Sequence, residues 1–447
     1  MASAAHSTRD TSADFVVAPR WLIPVEPADT VLTDHAVAVM NGRIAGITDR
    51  ETAKQRWPEA DWLERPDHVL IPGLVNTHTH SPMSLLRGYA DDLPLETWLS
   101  EYIWPAESRW AKREFVRDGA DLAILEMIRG GTTCFHDMYL FPDEVAAVAA
   151  ERGIRAIASM IVIEVPTAWA TTVDEYLDRG LEVHDRYREH PLVGTSFGPH
   201  APYTVSNATF ERIVTLSNQL DLIVHMHVHE TALEVEQAVA ATGLRPLARL
   251  DTLGALGPLL TAVHMTELNE AEIDLVAERG VSVVHCPESN MKLASGVCPV
   301  PALLSAGINV ALGTDGAASN NDLDMLGEVR SAALLAKINS RNAASLPAFQ
   351  ALEIATLGGA RALGLEDETG SLVVGKSADM ACIDLTDPGC QPVHNPLSQV
   401  VYSATRNQVS DVWVAGRRLY GDNAFQTADA ADVLQRAAAW LKRMQSA

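Results

Sequence analysis

The stretch "HVLIPGLVNTHTHSPMS", residues 68 to 84, decides the fold. An apolar run of strand character ends in two histidines, His78 and His80, with one threonine between them. Side chains on a strand alternate between its two faces, so both imidazoles project to the same side. Two imidazoles this close together suit a shared metal ion.

Further apolar strand candidates follow at the spacing of alternating strands and helices. In chain order the candidates are "LIPGLVNTHTH", "TTCFHDMY", "RAIASMIVI", "LVGTSFGPHAP", "DLIVHMHVHE", "LTAVHMT", "VSVVHCPESN" and "NVALGTDGAASN". Helical patterns lie between them, such as residues 113–131, which end in Gly130-Gly131. These segments predict an α/β fold with a (β/α)8 TIM-type barrel over residues 71–365.

The sequence pattern of both terminal segments differs from that of the barrel region and predicts short strands joined by glycine turns. The Asn41-Gly42 pair is the strongest short hairpin signal, and a last helix is predicted at about residues 428–445. The simplest interpretation is a small β-sandwich domain formed by residues 1–70 and 366–447, with the barrel inserted between its two parts.

Composition narrows the class of protein. Of the 447 residues 47% are hydrophobic and 21% charged, which is typical of a globular protein with a large core. The net charge of -24 opposes binding to nucleic acid or to anionic membranes. No segment is of signal-peptide or bilayer-spanning type, and the five cysteines form no C-x-x-C pair, so we expect a reduced, cytoplasmic protein.

Ionisable residues collect where the predicted strands end, and in a TIM barrel that rim carries the active site. The set comprises His78, His80, His136, Asp137, His200, His227, Glu230, His264, His285 and Asp315. A single histidine on a buried strand is more often a hydrogen-bonded core residue than a ligand. That interpretation is at least as good for His136, His225, His229 and His285, whose roles stay open.

Several motifs together resemble the metal-dependent amidohydrolase superfamily and, within it, the deaminases of adenine nucleosides such as 5′-methylthioadenosine and S-adenosylhomocysteine. The motifs are "PGLVNTHTHSPMSLLRGYADDLPLETWL", "WPAE", "GTTCFHDMY", "FGPHAPYTV", "HMHVHET", "HCPESNMKL", "LGTDGAASNN" and "GSLVVGKSADM". The resemblance covers nearly the whole chain. It implies a hydrolase that releases ammonia from the adenine ring of a small-molecule nucleoside.

The resemblance also implies a metal site. His78, His80, His227 and Asp315 would hold one Zn²⁺ per subunit. His225, His227 and His229 share one face by alternation, and His227 is chosen because the family's ligand precedes its catalytic glutamate by three positions, with His225 or His229 as the alternative. Two-metal relatives use a bridging lysine on the fourth strand, and this chain has no lysine between Lys112 and Lys292.

Catalytic and substrate-binding roles follow from the same resemblance. Glu230 would move protons at the ring nitrogen and the leaving amine, with His264 and Asp315 orienting or deprotonating the attacking water. Glu107 would bind the ribose hydroxyls. The remaining predicted substrate contacts are His200 for the nucleoside, Trp98 for the apolar wall, Ser289 with Asn290 for the ring, and Met160 for the 5′ group.

Met160 carries a substrate prediction. Relatives that accept the homocysteine tail have an arginine near this position, and a thioether suits a methylthio group better than a charged amino acid. We therefore expect a preference for 5′-methylthioadenosine over S-adenosylhomocysteine. A homodimer or homotetramer is expected by analogy with related barrels.

Two other functions are compatible with these residues. One is a different enzyme of the same superfamily, either a deaminase of guanine or another base, or a triazine-type chlorohydrolase, because the metal ligands are shared. The other is a non-catalytic binding protein. The presence of all four predicted metal ligands argues against this function.

Overall fold

The computed structural model describes residues 13–446. The strands are β1 (Phe15–Leu22), β2 (Leu32–Thr33), β3 (His35–Met40), β4 (Arg43–Asp49), β5 (Asp61–Pro72), β6 (Leu74–Thr79), β7 (Thr132–Asp137), β8 (Arg155–Val162), β9 (Val193–Pro199), β10 (Val224–Val228), β11 (Leu260–His264), β12 (Ser282–His285), β13 (Val310–Leu312), β14 (Met380–Asp384), β15 (Val409–Val414), β16 (Arg417–Gly421) and β17 (Ala424–Phe425).

The α-helices are α1 (Arg50–Arg56), α2 (Leu95–Thr97), α3 (Trp104–Trp110), α4 (Arg113–Arg129), α5 (Pro142–Arg152), α6 (Val173–Tyr187), α7 (Asn207–Leu220), α8 (Ala232–Thr242), α9 (Pro246–Thr252), α10 (Glu270–Arg279), α11 (Pro287–Lys292), α12 (Val300–Ser305), α13 (Met325–Ser340), α14 (Ala348–Ile354), α15 (Leu357–Ala362), α16 (Pro396–Tyr402) and α17 (Ala430–Gln445). A π-helical turn, Trp98–Ile103, joins α2 to α3. Within residues 13–446, no helix has both the length and the apolar composition that crossing a bilayer requires.

Strands β6 to β13 form one sheet of eight strands in chain order, and neighbouring strands run parallel. Each strand candidate in the sequence contains one of these strands. The sheet curls into a nearly closed barrel with helices outside it, which confirms the predicted (β/α)8 fold. Helices cover the outer faces of such strands, and all eight residues of β8 are buried.

The barrel closes where the first strand meets the residues that follow the last one. The backbone N–H of Asp315 donates to the carbonyl oxygen of His78 at 3.0 Å, and that of Thr314 donates to Asn76 Oδ1 at 3.0 Å. Gly313 lies so close that an added Cβ would be 2.8 Å from the Cβ of His78. The seam of the barrel therefore runs through two of the predicted metal ligands.

Both terminal segments contribute to one mixed sheet, which has nine strands. Its central strand β5 pairs parallel with β1 and antiparallel with β14. A buried ion pair joins this region to the barrel, since Arg155 Nε of β8 donates to Asp379 Oδ2 at 2.9 Å. A companion unit built from both ends of the chain was expected, and the boundaries at residues 70 and 365 stay a prediction.

Candidate metal centre and active site

Four predicted ligand residues converge at the carboxyl ends of the barrel strands. His78 belongs to β6 with His80 just after it, His227 belongs to β10, and Asp315 follows β13. His227 Nε2 lies 3.3 Å from the Nε2 atoms of both His78 and His80. Asp315 Oδ1 lies 3.4 and 3.3 Å from the same two nitrogens. Tetrahedral coordination with bonds of about 2.0 Å places neighbouring ligand atoms about 3.3 Å apart, so the spacing fits zinc.

Hydrogen bonds on the far side of two imidazoles fix their tautomers. His80 Nδ1 lies 2.5 Å from the carbonyl oxygen of Met138, and His227 Nδ1 lies 2.7 Å from that of His200. A carbonyl oxygen can only accept, so each Nδ1 carries the proton and each Nε2 directs a lone pair at the centre. Burial lowers the pKa of His78 to about 4, which keeps that ring neutral, as a metal ligand must be.

The other two histidines of the fifth strand have different partners. His225 Nε2 lies 2.8 Å from His78 Nδ1, so its ring contacts a ligand and not the centre. His229 has a φ of +54°, which turns it away from the strand direction. Its ring lies 3.0 Å from the carbonyl oxygen of Glu267 and accepts from the backbone N–H of Leu247 at 3.3 Å. Of the three, His227 is the histidine whose Nε2 atom lies beside the Nε2 atoms of His78 and His80.

His136 and His285 are buried away from the four ligand atoms. His136 Nε2 lies 2.8 Å from Ser196 Oγ, which places it in a polar layer inside the barrel. Burial lowers the pKa of His285 to about 3, so this ring is neutral. His136 fits the interpretation of a hydrogen-bonded core histidine. His285 Nδ1 has no hydrogen-bond partner within the described residues, and the role of His285 stays open.

Glu230 lies directly after β10 and faces the ligand cluster. Its Oε2 is 3.7 Å from His264 Nε2, and its Oε1 is 3.4 Å from Ser295 Oγ. Burial, and after it the negative charge of Asp315, raises the pKa of Glu230 to about 8. A carboxyl with such a pKa carries a proton near neutral pH and can donate or accept one during a reaction.

The turn that carries Glu230 is held by the next helix. Thr231 caps α8 by accepting the backbone N–H of Glu234 at 3.1 Å. The Glu234 carboxylate in turn accepts the backbone N–H groups of His229 at 3.1 Å and Glu230 at 2.7 Å. These bonds fix the left-handed backbone at His229 and the direction of the Glu230 side chain.

Asp315 and His264 are oriented by residues of α11 and its neighbours. Ser289 Oγ donates to Asp315 Oδ2 at 2.7 Å, and the backbone N–H of Gly316 donates to Asp315 Oδ1 at 2.8 Å. Asn290 Nδ2 donates to His264 Nδ1 at 3.0 Å. Ser289 is fully buried and does not line the cavity, so its predicted contact with the substrate ring is corrected to a contact with Asp315.

A cavity of about 490 Å³ opens above the ligand atoms. Among its lining residues, all within the described range 13–446, none is a lysine or an arginine. Its polar floor and walls come from His80, Glu107, His200, Tyr203, His227, Glu230, His264 and Asp315, and its apolar walls from Met83, Leu95, Trp98, Leu99, Ile103, Trp104, Met138, Leu140, Ile161, Ile163, Val165 and Leu293. The cavity suits a largely apolar ligand with a few polar groups.

Three predicted substrate residues line this cavity. Trp98 is buried and donates its indole N–H to the carbonyl oxygen of Ala90 at 3.0 Å, which fixes the ring. Burial raises the pKa of Glu107 above its usual value, and burial lowers that of His200 to about 3. His200 Nδ1 lies 3.1 Å from Thr204 Oγ1, so the other ring nitrogen stays available.

Met160 lies elsewhere, which corrects its prediction. A Cβ added at Gly180 of α6 would lie 2.9 Å from Met160 Cβ and 3.5 Å from its sulfur. The side chain therefore packs on the outer face of β8 against α6, and it is not among the lining residues of the cavity. Ile161 and Ile163 form the apolar wall on this side because alternation turns them inward.

The barrel and the four converging predicted ligand residues are typical of one class of protein. Residues 69–419 match the profile of the Amidohydrolase family, and the chain belongs to that family.

Relatives narrow the resemblance further. The chain is 46% identical to 5-methylthioadenosine/S-adenosylhomocysteine deaminase of Teredinibacter turnerae over 98% of this chain and 99% of the relative. It is 43% identical to 5′-deoxyadenosine deaminase of Methanothermobacter thermautotrophicus over 90% of this chain and 93% of the relative. A crystal structure of a zinc-bound adenosine deaminase from Xanthomonas campestris superposes with a TM-score of 0.96 at 53% identity, covering 98% of this chain and 99% of that one.

Sequence reasoning missed Glu234 and Ser295, and it assigned Asn290 to the substrate ring and not to His264. Glu234 could have been noticed, because Thr231 and Glu234 have the T-x-x-E spacing of a helix start. The contact of Ser295 with Glu230 and that of Asn290 with His264 join distant parts of the chain. No local sequence pattern predicts such contacts.

Proposed function

We propose that the protein is a zinc-dependent deaminase of adenine nucleosides with 5′-methylthioadenosine as its preferred substrate. The products are the 6-oxopurine nucleoside and ammonia. The observation that carries this proposal is the buried Glu230 carboxyl, 3.7 Å from His264, which lines the same mostly apolar cavity as His80, His227 and Asp315.

His78, His80, His227 and Asp315 would hold one zinc ion, since their spacing and tautomers suit it. When bound, zinc supplies Lewis acidity that makes a water molecule a nucleophile near neutral pH. Ser289 and Gly316 keep the Asp315 carboxylate in place through their hydrogen bonds to it.

The proton transfers fall to residues of this chain. Burial raises the pKa of Glu230, so that its carboxyl can carry a proton and deliver it to the ring nitrogen beside the reacting carbon, which makes that carbon more electrophilic. The resulting carboxylate takes up a proton from the attacking water and passes it to the departing amine, so that the C–N bond breaks and ammonia leaves. The second proton of that water returns to Glu230 as the 6-oxo group forms. His264 and Asp315 orient the attacking water, and burial keeps the pKa of His264 below its usual value.

The walls of the cavity suit the rest of a nucleoside. Glu107 lines the cavity. Its carboxyl would accept both ribose hydroxyls, which distinguishes a nucleoside from a free base. His200 contacts the nucleoside, and the fixed ring of Trp98 forms part of the apolar wall.

The 5′ end of the substrate meets apolar groups. Ile161, Ile163 and Val165 line this cavity, and no lysine or arginine of the described chain does. A carboxylate brought into this space would lose water without gaining a partner, which is costly. We therefore attribute the expected preference for 5′-methylthioadenosine over S-adenosylhomocysteine to the apolar wall and to the lack of a lysine or arginine among the described lining residues. Met160 no longer supports this preference.

Steady-state kinetics with 5′-methylthioadenosine, S-adenosylhomocysteine, adenosine and guanine test the proposal. Ammonia release and the absorbance change of the purine are followed together, with the Glu230→Gln protein as the blank. We expect the highest kcat/KM for 5′-methylthioadenosine. A higher kcat/KM for guanine would show that the protein is a base deaminase. Lack of turnover of all four compounds would refute the proposal.

Two further features are proposed by analogy with related barrels. The enzyme would act in the cytoplasm as a homodimer or homotetramer. Light scattering on the purified protein measures the oligomeric state, and a monomeric mass would contradict this expectation.

A further inference from the structure

His225 lies under the ligand His78 inside the barrel. The two imidazoles are nearly parallel, with ring centres 5.0 Å apart and planes 26° apart. His225 Nε2 is 2.8 Å from His78 Nδ1, which is hydrogen-bond distance. Both rings are fully buried.

The direction of this hydrogen bond follows from which ring nitrogens carry a proton and which carry a lone pair. A contact of two ring nitrogens needs one N–H and one lone pair. His78 Nε2 faces His227 Nε2 at 3.3 Å and Asp315 Oδ1 at 3.4 Å, where a ligand lone pair is required. His78 must then carry its proton on Nδ1 and donate it to His225 Nε2.

The position of His225 is set by its own neighbours. His136 packs on its ring with a centre distance of 3.8 Å, and His136 Nε2 is held by Ser196 Oγ at 2.8 Å. The Nδ1 atom of His225 has no hydrogen-bond partner within the described residues. Within the described residues, the only hydrogen bond of the His225 ring is therefore the one to His78.

We propose that His225 is a positioning residue that fixes the tautomer and the direction of His78 toward the metal. The inference rests on the metal site of the proposed function. Partners of this kind are commonly carboxylates, backbone carbonyls or water. His225 is a neutral acceptor, as are the carbonyl oxygens of Met138 and His200 that hold the other two imidazoles. The three imidazole ligands are thus supported without adding negative charge.

Two substitutions separate the acceptor from the bulk of the ring. His225→Leu fills similar space but removes the acceptor, whereas His225→Gln keeps a neutral acceptor at the end of a side chain of similar reach. The zinc-loaded full-length proteins are titrated with a chelator to obtain zinc dissociation constants. We expect His225→Leu to bind zinc about 10- to 100-fold more weakly. His225→Gln should stay closer to the wild type than to the leucine protein.

His229→Leu is the matched control, because His229 is a buried histidine of the same segment whose ring contacts Glu267 and Leu247 and no ligand. Its zinc affinity should equal that of the wild type even if its melting temperature falls. The inference is overturned if His225→Leu binds zinc as tightly as the wild type, or if His225→Gln loses as much affinity as His225→Leu. A wild-type protein that binds no zinc would instead refute the metal site of the proposed function.

Discussion

Glu234 accepts the backbone N–H of Glu230 at 2.7 Å, so one carboxylate fixes the turn that presents the other. The pKa of Glu234 is raised to about 7, mainly by burial. The proposed proton carrier is thus oriented by a neighbour one helical turn further along the chain.

Replacing Glu234 by alanine should release this turn. We expect Glu234→Ala to lower kcat by about 10- to 100-fold, because a small displacement of a catalytic group is costly. Zinc content should stay unchanged, since Glu234 contacts no ligand atom. Glu236→Ala, an exposed position of the same helix, is the matched control and should leave kcat as it is. Equal kcat values for the two variants would contradict the role of Glu234.

Glu230→Gln removes the proton carrier while keeping its shape. We expect kcat to fall by about 10²- to 10⁴-fold, the usual contribution of general acid–base catalysis. Metal analysis of the same sample should show wild-type zinc, which separates loss of chemistry from loss of the centre. A variant that turns over at the wild-type rate would remove Glu230 from the mechanism.

The rate should depend on pH through the same carboxyl. The pKa of Glu230 is raised from its usual 4.5 to about 8 by burial and by Asp315, so the protonated form is lost as pH rises. A cation on the ligands favours the carboxylate, which moves the midpoint to or below pH 8. A kcat profile measured with 5′-methylthioadenosine should therefore decline on the alkaline side. A rate that stays flat well above this pH would contradict the assignment.

Substrate choice can be altered at the apolar wall. Ile163→Arg places a cation in a cavity that has none among its described residues, and it should raise kcat/KM for S-adenosylhomocysteine relative to 5′-methylthioadenosine. Met160→Leu is the control and should leave the ratio unchanged, because Met160 packs outside the barrel against Gly180. A changed ratio in Met160→Leu would restore Met160 as a specificity residue.

Removing zinc should loosen the seam of the barrel. A ligand present at roughly 1,000 times its Kd stabilises a protein by about 4 kcal/mol, so chelation should lower the melting temperature. Hydrogen exchange should quicken at the backbone N–H groups of Thr314 and Asp315, which close the barrel against β6. Exchange at the β5–β14 pairing should stay as it was. If the backbone N–H groups of Thr314 and Asp315 exchange equally slowly before and after chelation, the metal does not stabilise the closure of the barrel.

Much of the barrel was predictable because its signals are local. Apolar runs predicted all eight strands, six of them with a histidine at or just after the strand end, and Gly130 ends α4 as expected. The Asn41-Gly42 turn, with φ values of 49° and 77°, joins β3 to β4 as a hairpin. Each of these features depends on a few neighbouring residues.

The errors fall where three-dimensional context decides. Every residue of β8 is buried, so no polar alternation shows that Met160 faces outward. Ser289 has the composition of a substrate contact, yet the fold brings it to Asp315, which lies far along the chain. Periodicity placed three histidines on one face of the fifth strand. The depth of each ring and the left-handed backbone at His229 were needed to tell them apart.

The pairing of β5 has a consequence for synthesis on the ribosome. Its Ile71 is registered with Ala381, which is translated only after the whole barrel sequence has been made. Until then the nascent chain presents one edge of β5 unpaired, and an open strand edge invites association between copies. Ribosome-bound intermediates should therefore aggregate more readily before β14 emerges than after it.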